Sequence, residues 1–139
     1  MRIGRVTAVR RTALGAHHVN VLVVEDIPDV ALTFAALIRA YGHRTQVAYD
    51  GHSALRMARE FRPQTVFIDI HLPDMLGYDL APQLRELPGM AESTFISVSG
   101  NALDEERWRA AMIDRHLQKP LTLDSLLGIL EREPQRVGR

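Results

Sequence analysis

Five polar residues follow short apolar runs, and their types suit phosphoryl chemistry. Glu25 and Asp26 follow Val21-Leu22-Val23-Val24, Asp69 follows Thr65-Val66-Phe67-Ile68, Ser99 follows Phe95-Ile96-Ser97-Val98, and Lys119 follows Leu117-Gln118. Three carboxylates brought together repel one another unless a cation joins them. Hard oxygen donors, with no cysteine and no suitably spaced histidine, favour Mg2+, which keeps several waters and shares its remaining positions with phosphate. A carboxylate beside such an ion, a hydroxyl and an ammonium is what phosphoryl transfer to aspartate needs. The cations neutralise the equatorial oxygens, and the hydroxyl donates to one of them. Asp69, alone at the end of its run, is the expected nucleophile; the paired Glu25 and Asp26 suit the metal.

These residues meet only if their runs lie side by side as parallel strands, whose carboxyl ends share one edge. The patterning supports that arrangement. Strands are expected at 19–24, 45–49, 65–69, 94–98 and 115–118. Between them the spacing predicts helices. The first opens at Pro28 with Val30, Phe34, Leu37 and Tyr41 inward and Gly42 closing it; the second starts near Ser53 with Ala54, Ala58 and Phe61 inward. A third runs from Gly77 with Leu80, Leu84 and Leu87 inward, and Pro82 is expected to kink it or delay its start. A short fourth helix covers 104–112, and a fifth is capped by Thr122 with Leu123, Leu126, Leu127 and Leu130 on one side. Five βα units with near-continuous apolar strands predict an α/β domain with helices on both faces of a parallel sheet.

At 139 residues the chain is expected to form one domain with a real core. Without cysteine, disulfides and thiolate chemistry are excluded. The net charge is zero but uneven. Residues 1–18 carry four arginines and no acid, whereas residues 21–130 carry fifteen acids against ten bases. An acidic body gives no support for nucleic-acid binding. The division expected is a flexible basic arm over 1–18, a folded unit over 19–132 and a tail over 133–139. The arm could touch phosphate or an acidic partner, or simply be a solvated terminus. Val21 to Val24 is too short for a signal-peptide core and nothing approaches a membrane span, so a cytoplasmic location is expected.

From Val21 to Leu130 the chain resembles the receiver domains of two-component response regulators, and is also similar to receivers of hybrid sensor histidine kinases. Val-Leu-Val-Val-Glu-Asp resembles the family's first strand and acidic pair. Phe67-Ile68-Asp69-Ile70-His71-Leu72-Pro73-Asp74-Met75-Leu76-Gly77 resembles the phospho-acceptor strand and loop. Ile96-Ser97-Val98-Ser99-Gly100 resembles the switch-hydroxyl strand, and Leu117-Gln118-Lys119-Pro120 the lysine-proline signature. The resemblance implies a flavodoxin-like (βα)5 fold with strand order 2-1-3-4-5. It implies phosphorylation of Asp69 by a histidine kinase or phosphotransfer protein. Mg2+ would be held by Glu25, Asp26, Asp69 and the backbone carbonyl of His71, with Ser99 and Lys119 contacting the phosphoryl group. In many relatives the bond corresponding to Lys119–Pro120 is cis.

The chain also departs from that pattern. Ser99 replaces the commoner threonine and keeps the hydroxyl. The switch aromatic is His116, read either as a pH-sensitive ring in the switch or as a partly buried histidine making one hydrogen bond. The stretch from Ser99 to Lys119 is shorter than usual, and the glycine that often ends the fourth helix is replaced by Ala110-Ala111-Met112-Ile113. That puts the usual dimer face in doubt. Trp108 is expected to be a core anchor or a partner contact. His43, His52 and Asp74 carry no assigned chemistry, while His71 and Asn101 should influence hydrolysis of a phospho-aspartate.

The expected function is a stand-alone receiver that takes a phosphoryl group and signals through an altered protein-binding surface. It would catalyse only its own phosphorylation and dephosphorylation. One alternative is a phosphorylation-independent interaction module. Another, a Mg2+-dependent phosphatase with an aspartyl intermediate, is disfavoured because His71 stands where an acid/base aspartate is needed.

Overall fold

A computed structural model describes residues 19–136 of the chain. The expected basic arm lies outside the described residues. Five strands form one parallel sheet in the order β2-β1-β3-β4-β5: β1 (Asn20–Val24), β2 (Arg44–Ala48), β3 (Thr65–Asp69), β4 (Thr94–Ser99) and β5 (Arg115–Gln118). The helices are α1 (Pro28–Ala40), α2 (Gly51–Phe61), α3 (Gly77–Arg85), α4 (Glu105–Ala110) and α5 (Leu123–Arg136). This is the flavodoxin-like (βα)5 arrangement. Helix α5 continues past residue 132 into the segment read as a tail.

Side chains alternate across each strand, so the sheet feeds two cores. Leu22, Val24, Val66, Ile68 and Phe95 pack with α2 and α3 on one side. Val21, Val23, Phe67, Ile96 and Leu117 pack with α1 and α5 on the other. In that second layer the Phe34 and Phe67 rings meet edge to face at 4.9 Å.

Helices α1 and α5 differ from expectation in part of the face they bury, whereas α2 buries Ala54, Ala58 and Phe61 as expected. Helix α1 turns Ala31, Phe34, Ala35 and Ile38 inward and leaves Val30 exposed. Alanine lets the helix lie close to the sheet, a signal that counting large apolar residues passes over. Helix α5 buries Leu126, Ile129 and Leu130, and Leu123 is exposed. Helix α2 starts at Gly51 rather than near Ser53, because the Asp50 carboxylate caps it by accepting from the Ser53 N–H at 2.7 Å. Pro82 does not delay α3, which begins at Gly77.

Helix α4 is a six-residue piece, capped by Asp104, and none of its residues is fully buried. It ends without glycine. Met112 takes the left-handed conformation there, with φ of 59°. The turn is pinned by Arg85, whose guanidinium donates to the carbonyls of Met112 (2.7 Å) and Ala91 (3.0 Å) and lies 4.4 Å from the centre of the Phe95 ring.

Candidate functional site

The carboxyl ends of β1 and β3 are adjacent, since Val24 pairs with Ile68. Glu25 and Asp26 therefore emerge beside Asp69. One carboxylate oxygen from each of these three residues lies within 4.8 Å of the others. Glu25 and Asp69 are buried, and Asp26 is the more open of the three.

Lys119 reaches this cluster from the end of β5. Its Nζ donates to Glu25 Oε1 at 2.9 Å and to Asp69 Oδ2 at 3.1 Å. The Lys119–Pro120 bond is cis. Burial pulls the lysine pKa down, but its hydrogen bonds to the two carboxylates outweigh that and hold it above the ordinary value. The Glu25 pKa is also raised, but here because desolvation outweighs the bonds from Lys119 and the Ile27 N–H. The other oxygen of Asp69, Oδ1, accepts the His71 N–H at 3.0 Å.

Ser99 ends β4, two strands from Glu25 in the sheet, but its hydroxyl is turned into its own loop. It accepts the Asn101 N–H at 3.0 Å and donates to the Asn101 carbonyl at 3.3 Å. Asn101 in turn places its Nδ2 3.4 Å from His71 Nδ1, so the residues two positions after Ser99 and Asp69 meet at the rim.

His116 lies on β5 opposite Ser97 of β4. Its Nδ1 is 2.7 Å from Ser97 Oγ, which also accepts from Trp108 Nε1 at 3.1 Å. The ring is half-buried and hydrogen-bonded, and burial lowers its pKa, with Gln118 opposing. Trp108 packs against the first core layer as the expected anchor. The structure thus gathers Glu25, Asp26, Asp69 and Lys119 directly, places Ser99 at the same edge, and sets His116 apart on Ser97, the hydroxyl that Trp108 of α4 also reaches.

Asp74 and His52, to which the sequence assigns no chemistry, meet beside the site. Asp74, in the loop after β3, binds the start of α2 through Gly51 and His52. Those partners lie 23 and 22 residues away, so no local pattern announces them.

A shared sheet edge with clustered acids and an inward lysine defines the class. The family model for the response regulator receiver domain matches residues 21–131, and the chain belongs to that family. The family consists of signalling phospho-acceptors rather than conventional enzymes. The chain is 32% identical over 114 residues to the polar-differentiation response regulator DivK of Brucella anthropi, matching 81% of this chain and 93% of that protein. It is 30% identical over 115 residues to the aerobic respiration control sensor protein ArcB of Escherichia coli, covering 81% of this chain but only 15% of ArcB.

Among solved structures, a CheY-like receiver domain from Methylobacillus flagellatus is 35% identical with a TM-score of 0.76, covering 84% of this chain and 98% of that one. The receiver domain of a Pseudomonas aeruginosa sensor histidine kinase is 29% identical with a TM-score of 0.76, covering 85% of this chain and 98% of that one. It has a magnesium ion coordinated in its active-site cleft. Receiver domains bind Mg2+ at an acidic site, and the hard-oxygen cluster of Glu25, Asp26 and Asp69 fits such an ion. No described helix is long and apolar enough to cross a membrane.

Proposed function

We propose that this chain is a phosphorylation switch. Asp69 takes a phosphoryl group from the phosphohistidine of a kinase or phosphotransfer protein, in a reaction that needs Mg2+. The observation that carries this reading is the pair of hydrogen bonds that Lys119 donates to Glu25 and Asp69 within a cluster of three carboxylates. A carboxylate oxygen of Asp69 would form the new O–P bond as the N–P bond to the donor imidazole breaks. Glu25, Asp26, Asp69 and the His71 backbone carbonyl would hold Mg2+, which when bound neutralises charge on the transferring group. Lys119 supplies a second positive charge and is already beside Asp69. The Ser99 hydroxyl would leave Asn101 to donate to a phosphoryl oxygen, and the loop after β4 would move with it.

A protein donor must bring its histidine close to Asp69. An apolar groove opens beside Lys119, between α1 and the start of α5, lined by Ile27, Val30, Phe34, Pro120 and Leu123. Its exposed rim suits a helical protein partner better than a small polar substrate. The output we propose is a changed protein-binding surface, and the location cytoplasmic.

Incubation with acetyl phosphate or a phosphorylated histidine kinase and Mg2+ tests the reading, with intact mass as the measurement. One phosphoryl group should appear, and it should be absent from Asp69→Ala and from samples treated with EDTA. A chain that gains no phosphoryl group under these conditions is instead a phosphorylation-independent interaction module.

A further inference from the structure

Asp74 and His52 join the loop after β3 to the helix beside it. Oδ1 of Asp74 accepts the Gly51 N–H at 2.8 Å; Oδ2 accepts the His52 N–H at 2.9 Å and lies 2.6 Å from His52 Nδ1. Gly51 and His52 are the first residues of α2, whose N–H groups have no partner within the helix. The carboxylate thus meets unsatisfied donors at the positive end of the helix dipole. Burial alone would raise the Asp74 pKa, but the Gly51 and His52 donors outweigh it and hold the carboxyl below its ordinary range.

The same loop is fixed at its other end to the site. The His71 N–H binds Asp69 Oδ1 at 3.0 Å, and the Gly77 N–H closes the loop on the Ile70 carbonyl at 2.7 Å. The Met75 side chain covers Gly51, where a Cβ would come within 2.5 Å of its sulfur. Between Asp69 and Gly77 the loop is thus held to the start of α2 through one carboxylate and one thioether.

We propose that Asp74 is a positioning residue: by tethering this loop to α2 it presets the His71 backbone for Mg2+ and so sets the ion affinity of the site. This inference depends on the Mg2+ reading proposed above. A backbone ligand on a loose loop must be ordered when the ion binds, whereas a tethered one already is.

Calorimetric titration of the full chain with MgCl2 tests it, comparing wild type, Asp74→Ala, Asp74→Asn and His52→Ala, alongside thermal midpoints without divalent ions. Asp74→Ala should weaken Mg2+ binding about tenfold, in the range found for groups that orient metal ligands. Asp74→Asn keeps one oxygen for a backbone N–H and should lose less; His52→Ala keeps both backbone bonds and should lose least. That order should persist in high salt, where long-range charge effects are screened. Equal affinities with lowered midpoints would mean that Asp74 serves only stability, and would overturn the inference. So would an Asn variant as weak as the Ala variant with a deficit that closes in high salt, because charge alone would then explain it. If Asp74→Ala does not fold, the order of Asp74→Asn and His52→Ala decides. A wild-type chain that binds no Mg2+ would overturn the metal reading, and this inference with it.

Discussion

Glu25 is a carboxylate held at the site against the cost of its own burial. Burial pushes its pKa up, Lys119 and the Ile27 N–H pull it back, and Asp69 adds repulsion. A raised folded-state pKa means the native chain binds more protons than the unfolded one as the carboxyl titrates. The associated stability is present below the ordinary carboxylate range and is lost as pH rises through the raised value. Glu25→Gln removes that loss and keeps an acceptor for Lys119. Without divalent ions the variant should be more stable at neutral pH by about 1 kcal/mol, roughly 4 °C at this chain length, with the gap closing near about pH 4. Thermal melts across that range check it; a less stable variant at neutral pH would show that the ion pair outweighs desolvation. The identities of the site residues were readable in sequence because each stands at the end of an apolar run, where a parallel sheet makes such ends converge. Asp74 and His52 were not, because their meeting depends on β3 and α2 being neighbours in space.

The start of α3 and the end of α4 are both set by backbone geometry. A Cβ at Gly77 would lie 2.8 Å from the Asp69 carbonyl oxygen and 3.0 Å from Ile70 Cα, and backbone cannot give way as a flexible side chain can. Gly77→Ala should therefore cost about 1–3 kcal/mol in denaturant unfolding and displace the start of α3 from β3. The end of α4 gives the opposite sign. Met112 is exposed and held at φ of 59°, a conformation that costs an L-residue about 1 kcal/mol and glycine almost nothing. Met112→Gly should raise stability by about that amount, less the entropy glycine adds to the unfolded chain, and leave the Arg85 bond to the residue 112 carbonyl intact. The missing glycine was visible in sequence, but which residue would take its conformation was not. Helix faces were legible to a similar degree. Leu80 and Leu84 of α3 turn inward as their spacing predicts, whereas α1 is rotated so that Ala31 and Ala35 meet the sheet in place of Val30. Periodicity gives the helix; close packing of small residues decides its rotation.

At the scale of the whole molecule, the sheet edge that holds the site and the surface of α4 are linked through β4. Ser99 ends that strand beside the acids. Two residues earlier, Ser97 accepts from Trp108 of α4 and meets His116 of β5. A shift of the β4 end as Ser99 leaves Asn101 would act on both partners of Ser97. His116 should make this link sensitive to acid. Desolvation lowers its pKa and Gln118 opposes; the Ser97 hydroxyl that meets the ring carries no charge, while Arg115 beside it in sequence is cationic. A depressed histidine pKa means the native state binds fewer protons than the unfolded one. The stability it contributes is full above the ordinary histidine range and is lost as pH falls through the folded-state value. In His116→Phe that contribution disappears, while the loss of the Ser97 bond costs about 1 kcal/mol at every pH. Urea unfolding followed by Trp108 fluorescence from about pH 8 to about pH 5 separates the two effects. The variant should start less stable and then gain on the wild type as pH falls. Parallel curves would show that the imidazole takes up its proton in the native state as readily as in the unfolded chain.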